Sequence, residues 1–458
     1  MLKKYYAIIA LIAVLPLLSS AVEQKAAWRG NGTGSFPNAK PAVEWSSTKN
    51  VIWKTPMEKF SNSQPIMLNG KLYVGEEIDK LVCIDAKSGK IIWSKSNPES
   101  EILTAAQQAE RVKIVKKLQP IVEKKKTFMR DYWKIRKKYR KDRKNKELGK
   151  KVRAMRKKQR EFDKKLAPLS ELNPKCHKVT GYSSPTPVTD GKNIYTCFGT
   201  GMAAAYTPDG KRLWLKAIEK PNNQWGYCSS PAFAAGKVIY AYKHIIALDP
   251  KNGKEIWRVK SKYRWGSPQV SSIGGKEIVL TPNGEIIRAE DGVLLSKSLP
   301  SLEYNSPMIH DAIVYTYNKN KARAHRLPEK ATKGAKAKLL WEVPITSDRY
   351  YGSPVTNGKI VYCITRAGKL TALDVKTGKK LFERKIKLGK GTNYPSPTIA
   401  GNILLISNDN GRTAVLKLDA AGSNIRENSL SPFRSSPLFI GDRMYLRTLD
   451  GMYCIGKK

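Results

Sequence analysis

Aromatic side chains recur at one position of a repeated pattern, where they are suited to contact a common ligand. A Ser-Pro step occurs in register at seven places, and Ser63-Gln64-Pro65 is a looser eighth copy. An aromatic residue stands two or three residues before each of these serines: Phe60, Tyr182, Tyr227, Trp265, Tyr304, Tyr351, Tyr394 and Phe433. Repeat symmetry would arrange these side chains around one axis. There they would either stack on a flat or sugar-like ligand or pack between neighbouring units.

Three arginines beside these aromatic residues extend the candidate site. Arg264, Arg349 and Arg434 flank three of the aromatic positions. A guanidinium group pairs with a carboxylate through two parallel hydrogen bonds. The predicted ligand-binding set is therefore Trp265, Tyr304, Tyr351, Tyr394, Phe433, Arg264, Arg349 and Arg434.

The residues of common catalytic and metal sites do not occur at the spacing that those sites need. The six cysteines include no Cys-x-x-Cys pair and the four histidines no His-x-x-x-His pair, so a zinc site is not indicated. No Ser/His/Asp order and no phosphate-binding loop is legible. Asp85, Asp249 and Asp374 each stand four residues before a glycine, as in turns where the carboxylate accepts hydrogen bonds from nearby amides. The sequence favours binding over catalysis.

The spacing of the Ser-Pro steps predicts the fold. Successive prolines lie 120, 46, 37, 39, 47, 43 and 40 residues apart. All intervals except the first fit the four-stranded blade of a β-propeller, which spans about 40–45 residues. After Ser353, four short apolar strands are separated by Asn357-Gly358, Ala367-Gly368 and the turn from Asp374 to Gly378, the pattern of an antiparallel meander. We expect an all-β, eight-bladed β-propeller.

The two ends of the repeat region complement each other. The last copy contains three strands and lacks the fourth, which elsewhere carries a tryptophan or another large apolar residue. The segment Asn50–Lys54, which contains Trp53, has the character of that missing strand. Pairing the two would complete the eighth blade and remove exposed sheet edges. The sequence therefore predicts a monomeric ring closed by an N-terminal strand.

The repeat carries a family resemblance. The pattern Asp-x-x-[Thr/Ser/Asn]-Gly, followed by Lys, two residues and an aromatic residue, resembles the PQQ-like (pyrrolo-quinoline quinone) β-propeller repeat. Residues 28–34, Glu44-Trp45 and residues 51–54 look like the N-terminus of exported bacterial PQQ-binding-like repeat proteins. The resemblance covers about residues 28–97 and 176–456. It implies either a non-catalytic envelope scaffold, as in the outer-membrane assembly lipoprotein BamB, or a quinoprotein alcohol or sugar dehydrogenase.

The chain departs from both kinds of family member. It lacks the adjacent Cys-Cys pair typical of the dehydrogenases and the lipid-anchor cysteine of BamB. The dehydrogenase alternative requires PQQ with Ca²⁺, and calcium requires oxygen ligands. By position, Glu303, Asn305 and Asp348 are the candidate ligands, with Arg349 as anion partner and Trp265 as stacking surface; all three ligands also suit ordinary turns. The leading expectation is a scaffold without a cofactor.

The N-terminus has the pattern of a secretory signal. Lys3 and Lys4 precede an apolar stretch of 12 residues and the small residues Ser19-Ser20-Ala21. The expected organisation is a signal peptide over 1–21 and an N-terminal segment with closing strand and blade one over 22–97. A basic helical insertion over 98–175 and blades two to eight over 176–458 follow. We expect an exported protein of the periplasm or cell envelope.

The insertion concentrates positive charge. The whole chain has a formal net charge of +46, and residues 101–175 hold 27 Lys and Arg against 9 Asp and Glu, a net charge of +18. Apolar residues recur there at three- and four-residue steps, which predicts a helix interrupted near Pro120 and folded back around residues 145–149 as a helical hairpin or short coiled coil. We expect this basic arm beside the mouth of the propeller, either as a solvated spacer or as a polyanion-binding element.

Polyanion binding would involve a dense run of cations. The run comprises Arg136, Lys137, Lys138, Arg140, Lys141, Arg143 and Lys144. Tyr132, Trp133 and Tyr139 lie among these residues and suit a membrane interface. Because an exported protein does not meet chromosomal DNA, the expected partners are a protein, an acidic polymer of the envelope or an anionic lipid surface, rather than nucleic acid.

Overall fold

The computed structural model describes residues 26–172, 176–221, 225–419 and 421–457. The signal peptide predicted over 1–21 lies outside these ranges. Within them, no helix combines the length and apolar character needed to cross a membrane. The described part of the chain forms eight β-sheets and a helical insertion between the first and second sheets.

Each sheet corresponds to one predicted blade, and the four strands of blades one to seven form an antiparallel meander in chain order. Blades one to four comprise β3–β6 (Ile66–Leu68, Lys71–Glu76, Lys80–Asp85, Ile91–Lys95), β7–β10 (Val188–Thr189, Ile194–Cys197, Met202–Tyr206, Arg212–Ala217), β11–β14 (Ala232–Ala234, Lys237–Ala241, His244–Leu248, Glu255–Lys260) and β15–β18 (Gln269–Ile273, Lys276–Leu280, Ile286–Arg288, Leu294–Ser296). Blades five to seven comprise β19–β22 (Met308–His310, Ile313–Asn318, Lys321–Arg326, Lys338–Pro344), β23–β26 (Val355–Thr356, Ile360–Ile364, Lys369–Asp374, Lys380–Lys385) and β27–β30 (Thr398–Ala400, Ile403–Ser407, Arg412–Lys417, Asn424–Ser429).

Blade eight contains the two ends of the repeat region. Its C-terminal strands are β31 (Leu438–Ile440), β32 (Arg443–Arg447) and β33 (Gly451–Ile455), and its fourth strand is β2 (Val51–Pro56). β2 pairs antiparallel with β33, with Lys54 opposite Tyr453. A short strand, β1 (Ser35–Phe36), lies parallel to β27 on the inner edge of blade seven.

The turn that begins at an aspartate, such as the turn from Asp374 to Gly378, contacts the preceding blade. In blade six, the Asp374 carboxylate accepts hydrogen bonds from the Thr377 amide at 2.8 Å and the Lys376 amide at 3.1 Å. Gly378 ends the turn at φ +72°, and a Cβ on it would lie 2.7 Å from the Trp341 ring of blade five. The Trp341 indole N–H donates to the Val375 carbonyl at 3.0 Å. The Asp85 and Asp249 carboxylates also accept backbone N–H bonds from their own turns, so these aspartates are structural, as the turn interpretation predicts.

The hydrophobic core lies between the sheets. Eight clusters of buried apolar side chains each join two successive blades. One of them joins blade eight to blade one through Leu72 and Val74 on one side and Leu438 and Met452 on the other. The Trp53 indole N–H of β2 also donates to the Ala86 carbonyl of blade one at 3.1 Å.

The insertion is a helical hairpin, with one difference from its predicted shape. Its elements are a 3₁₀ turn (Glu99–Ile102), α1 (Ala105–Lys141), α2 (Lys146–Lys165) and α3 (Ala167–Leu172). The predicted interruption near Pro120 is wrong, because α1 continues through this residue. A proline removes only one helical hydrogen bond, and the long flanking turns retain theirs. The reversal precedes α2, whose N-cap Asn145 accepts a hydrogen bond from the Leu148 amide at 2.9 Å.

Packing between α1 and α2 stabilises the hairpin. The Phe128 and Phe162 rings lie 5.4 Å apart, and Tyr132 and Val152 are buried. Gly149 lies against the Tyr139 ring, where a Cβ would be 3.4 Å from the ring edge. The apolar positions singled out from the sequence thus form the contact between the two helices, while a coiled-coil geometry stays a prediction.

Candidate ligand-binding pocket at the mouth of the propeller

A pocket of about 490 Å³ opens where the first strand of each blade begins. Four of the predicted aromatic residues line it: Trp265, Tyr304, Tyr351 and Tyr394. They follow one another on blades four to seven because each precedes the Ser-Pro step of its own blade. Four of the eight aromatic positions named from the sequence thus line the pocket.

The rings of this wall contact one another as well as the pocket. The ring centres of Trp265 and Tyr304 are 5.6 Å apart. Tyr304 and Tyr351 meet edge to face with their ring centres 5.1 Å apart, and Tyr351 and Tyr394 stack with theirs 4.9 Å apart. Because Tyr351 and Tyr394 stack on each other, these two faces are not open to a ligand. The wall presents ring edges and hydroxyl groups as well as ring faces.

Two of the other aromatic side chains are buried between neighbouring blades, as the packing interpretation predicts. Phe433 is 1% exposed in the cluster between blades seven and eight, and Tyr227 is fully buried between blades two and three. Neither side chain lines the pocket. Phe433 was predicted as a ligand contact, and the structure instead places it in the core, since the approach to the blade-eight serine is one residue longer than for blades four to seven.

Two of the three predicted arginines line the pocket. The Arg349 guanidinium lies 5.8 Å from the Tyr304 ring centre and donates to the Tyr351 hydroxyl at 3.3 Å. The Arg434 guanidinium lies 5.9 Å from the Tyr394 ring centre and 3.9 Å from an Asp409 oxygen.

Arg264 does not line the mouth pocket. Its Nε donates to the Ser301 hydroxyl at 3.0 Å, and it lines an adjacent cavity of about 870 Å³. That cavity shares Trp265 and Glu303 with the mouth pocket. Arg264 therefore lines the adjacent cavity and not the mouth pocket, and its role as a ligand contact stays a prediction.

The alternative metal ligands do not converge on the pocket. Glu303 lines it, but Asn305 is buried and donates its amide N–H to the carbonyls of Tyr317 and Tyr350, both at 3.1 Å. Asp348 accepts from Arg366 at 3.2 Å. In the described part of the chain, no three His, Cys, Asp or Glu side chains are grouped to hold a metal. These residues do not fit a PQQ site that depends on Ca²⁺, so we derive no dehydrogenase chemistry from them.

The serines of the repeat form a feature that the sequence analysis did not assign to the site. Six repeat serines each accept a hydrogen bond from a backbone N–H of the preceding repeat, at 2.7–3.1 Å, along the series Thr186, Ser230, Ser267, Ser306, Ser353, Ser396 and Ser436. The Gln64 amide N–H donates to Thr186 at 3.1 Å, and the Gln64 side chain donates to the Pro437 carbonyl at 3.1 Å. The recurrence of serine in register was the signal for this chain of hydrogen bonds.

The N-terminal segment forms the floor of the pocket. Trp28 lines the pocket, and the neighbouring Arg29 is buried, donating to the carbonyls of Pro354 at 2.8 Å and Pro397 at 3.0 Å. The Arg29 amide N–H donates to the Gln64 side chain at 2.8 Å. Gly34, at φ +72°, leaves the space that the Arg29 guanidinium occupies. Burial lowers the pKa of Arg29 to about 9. A glycine-rich stretch around one arginine was the signal for this segment.

The arm presents most of its predicted cations to solvent. Lys137, Lys138, Arg140, Lys141, Arg143 and Lys144 are exposed, and Arg136 is half-buried beside Trp133, 4.8 Å from the ring centre. Of the three predicted interface aromatics, Trp133 is 51% exposed whereas Tyr132 is 3% exposed and Tyr139 packs on Gly149. Tyr132 and Tyr139 are therefore part of the hairpin core and not of an interface.

Ion pairs connect the base of the arm to blade two. Glu99 pairs with Arg111 at 2.8 Å and with Lys220 at 2.9 Å, and Glu101 pairs with Arg212. The chain that returns from the arm reaches the pocket wall, where Asn62 donates to the Val179 carbonyl at 2.8 Å. The chain thus runs from the arm to the wall of the mouth pocket, while the position of the arm beside the mouth stays a prediction.

Comparison with known proteins identifies the family. The family model for outer membrane protein assembly factor BamB matches residues 42–244 and 241–456. BamB of Yersinia pestis is 25% identical over 266 residues, 52% of this chain and 64% of that protein. BamB of Nitrosomonas eutropha is 30% identical over 153 residues, 32% of this chain and 36% of that protein. The matched part of the chain thus spans less than two thirds of each of these relatives.

Solved structures confirm the propeller fold. BamB from Moraxella catarrhalis superposes with a TM-score of 0.55 at 11% identity, covering 89% of this chain and 99% of that one. The quinohemoprotein alcohol dehydrogenase ADHIIG from Pseudomonas putida HK5 superposes with a TM-score of 0.50 at 12% identity, covering 91% of this chain and 75% of that one. The relatives are consistent with export to the periplasm or cell envelope. The chain is a PQQ-like repeat protein and belongs to the family of outer membrane protein assembly factor BamB.

Proposed function

We propose that this protein is a non-catalytic scaffold of the cell envelope, a closed eight-bladed ring that binds a protein partner at its mouth face. The observation that carries the proposal is the mouth pocket, with its aromatic wall and two arginines, Arg349 and Arg434, on a propeller of the BamB family. Aromatic and arginine side chains dominate the binding energy of protein interfaces. The relatives are named for outer membrane protein assembly, an activity that involves other proteins.

Contacts around the ring support a rigid mouth. The pairing of β2 with β33 and the apolar cluster between blades eight and one join the two ends of the repeat region. A ring without free sheet edges holds its loops in fixed positions, which suits a binding platform. The half-buried aromatic wall then meets a partner without a large cost in conformational entropy.

Photo-crosslinking tests the scaffold function. A photoreactive amino acid replaces Tyr351 at the mouth or Leu381, which is 38% exposed on the last strand of blade six. We expect irradiation of the envelope to attach one defined protein to the Tyr351 position and not to the Leu381 position. Adding Arg349→Gln and Arg434→Gln to the first variant should reduce the yield of that product. Equal products from both positions would contradict the proposal.

We also propose that the basic arm binds an anionic lipid surface. Residues 134–158 at the tip contain 15 Lys and Arg against 2 Asp and Glu, a net charge of +13. Trp133 is exposed next to this region, as in interfacial segments that combine aromatic and cationic side chains. Each lysine near an anionic membrane contributes about 1 kcal/mol, so a few engaged side chains are sufficient for binding.

Vesicle co-sedimentation tests the arm. The test variant carries Lys137→Gln, Lys138→Gln, Lys141→Gln and Lys144→Gln. The control carries Lys87→Gln, Lys251→Gln, Lys330→Gln and Lys376→Gln, four exposed ring positions with the same total charge change. With phosphatidylglycerol vesicles we expect at least a tenfold loss of affinity in the first variant only, and weaker binding of the wild type at high salt. Equal binding by both variants would contradict the proposal.

A further inference from the structure

The hydrogen-bonded serines of the repeat form a ring in the mouth pocket that has unused hydrogen-bond donors. Six of the serines that line the pocket belong to the hydrogen-bonded series, namely Ser230, Ser267, Ser306, Ser353, Ser396 and Ser436. Each hydroxyl oxygen accepts a backbone N–H from the preceding repeat. A hydroxyl group has one donor in addition to its acceptor sites. None of these six O–H groups donates to an acceptor within the described part of the chain, so six donors are available to a ligand around one axis.

Positive charge lies immediately beneath this ring. The guanidinium of Arg29 bonds to the carbonyls of Pro354 and Pro397, the residues that directly follow Ser353 and Ser396. The side chain is buried, and no carboxylate among the described residues pairs with it. An uncompensated charge in a buried position is unfavourable, and an anion bound above the ring would offset it because electrostatic attraction is strong where water is excluded.

The pocket wall adds charge of the same sign. Arg349 and Arg434 line the pocket, and Glu303 is the one carboxylate of the described chain that does so. The pocket lining thus carries two cations against one anion. A volume of about 490 Å³ is in the range of small-molecule sites.

We propose that the mouth pocket is an oxyanion-binding site, which takes the carboxylate or phosphate group of a small ligand on the serine ring with Arg349 and Arg434 above it. Oxyanions present several lone pairs and match converging O–H and guanidinium donors. The site requires no metal. It goes beyond the scaffold function and does not depend on it, since binding of a small anion is measured on the purified protein in the absence of a partner.

Isothermal titration calorimetry at constant ionic strength tests this site. The probes are citrate for the carboxylate source and inorganic phosphate for the phosphate source. We expect the full chain to bind at least one of them saturably. In the double variant Arg349→Gln with Arg434→Gln, the affinity should fall at least about tenfold, because hydrogen bonds between a guanidinium group and an oxyanion are among the strong ones.

A matched variant separates the pocket from the overall basic charge. Arg412→Gln with Arg426→Gln removes two exposed arginines that pair with Glu427 and Glu44, outside the pocket. We expect its affinity to stay within twofold of wild type. An equal loss in both double variants would show non-specific attraction, and the absence of saturable binding of either probe in the millimolar range would also overturn the proposal.

A serine variant tests the ring itself. Ser353→Ala removes one O–H donor together with the acceptor of the Ser306 amide, so its fold is first checked by circular dichroism. If it folds, we expect weaker binding of the anion that the wild type binds, and unchanged affinity would exclude the ring as donor. If it does not fold, the arginine variants decide the outcome.

Discussion

Glu77 shows how a single buried carboxyl links two blades. Its Oε1 accepts hydrogen bonds from the Tyr182 amide, the Ser183 amide and the Ser183 hydroxyl, at 2.6–2.7 Å. Burial raises the pKa of Glu77, and the hydrogen bonds from Ser183 only partly oppose this. A raised pKa means that the folded protein binds this proton more tightly than the unfolded chain. The stabilisation is therefore complete below the unfolded pKa and is lost as the pH rises through the folded pKa.

We expect Glu77→Gln to be tolerated and Glu77→Ala to be destabilising. The glutamine oxygen keeps the acceptor, whereas alanine leaves buried donors unpaired at a cost of about 1–3 kcal/mol. Relative to wild type, the glutamine variant should gain stability as the pH is raised from acidic to neutral. Urea unfolding at several pH values measures this difference, and a difference that is independent of pH would contradict it.

Substitutions at two glycines distinguish the stability cost of backbone strain from the cost of disturbed packing. Gly378 (φ +72°) lies against Trp341, whereas Gly236 (φ +68°) has nothing within 4 Å of its would-be Cβ. Gly236→Ala should cost only the strain of the left-handed conformation, about 1–2 kcal/mol. Gly378→Ala should cost a further 1–3 kcal/mol or so, since the added methyl group displaces the tryptophan. Equal unfolding free energies of the two variants would show that the Trp341 contact contributes nothing.

At the scale of the elements, adjacent residues of α1 should respond in opposite ways. Tyr132 is 3% exposed and accepts a hydrogen bond from Arg156 at 3.3 Å, whereas Trp133 is 51% exposed. Tyr132→Ala should make the arm more sensitive to limited proteolysis. Trp133→Ala should leave the arm resistant but weaken its binding to anionic vesicles. Loss of proteolytic resistance in both variants would contradict this division of the helix surface.

The elements that follow from local rules were predictable from the sequence. Apolar alternation, the Asp374 turn and the Ser-Pro interval specify a blade because each acts within about 40 residues. The continuity of α1 through Pro120 was not predictable in this way. The hydrogen bonds of the flanking helical turns outweigh the one that the proline removes.

The pocket was only partly predictable for a related reason. Repeat symmetry placed Trp265, Tyr304, Tyr351 and Tyr394 together, but it did not separate them from the buried Phe433. The position of Arg29 depends on contacts with residues more than 300 positions away. No periodic pattern encodes contacts of that kind. The wall of the mouth pocket was therefore more predictable from the sequence than its floor.

At the scale of the whole molecule, the excess of positive charge should weaken folding at low ionic strength. A formal net charge of +46 makes the chain self-repelling, and salt screens this repulsion over about 10 Å at 0.1 M. We expect the thermal unfolding midpoint to rise with added NaCl while binding to anionic vesicles falls. Potassium chloride serves as the control for ion-specific effects. A midpoint that falls with both salts would show that ion pairs outweigh the repulsion.

The central claim is that the N-terminal segment both closes the ring and forms the floor of the mouth pocket. Hydrogen–deuterium exchange of the full chain, followed by mass spectrometry, tests it most directly. The exposed loop residues Glu329, Lys330, Thr332 and Lys333 provide the unprotected reference and β33 provides the protected one. Hydrogen-bonded amides exchange slowly, so the bonded amides of Ala27, Arg29 and Gly34 and those of β2 should exchange at rates close to those of β33. Exchange of both segments as fast as the loop would contradict the account, because the ring would then be open and the pocket would have no floor.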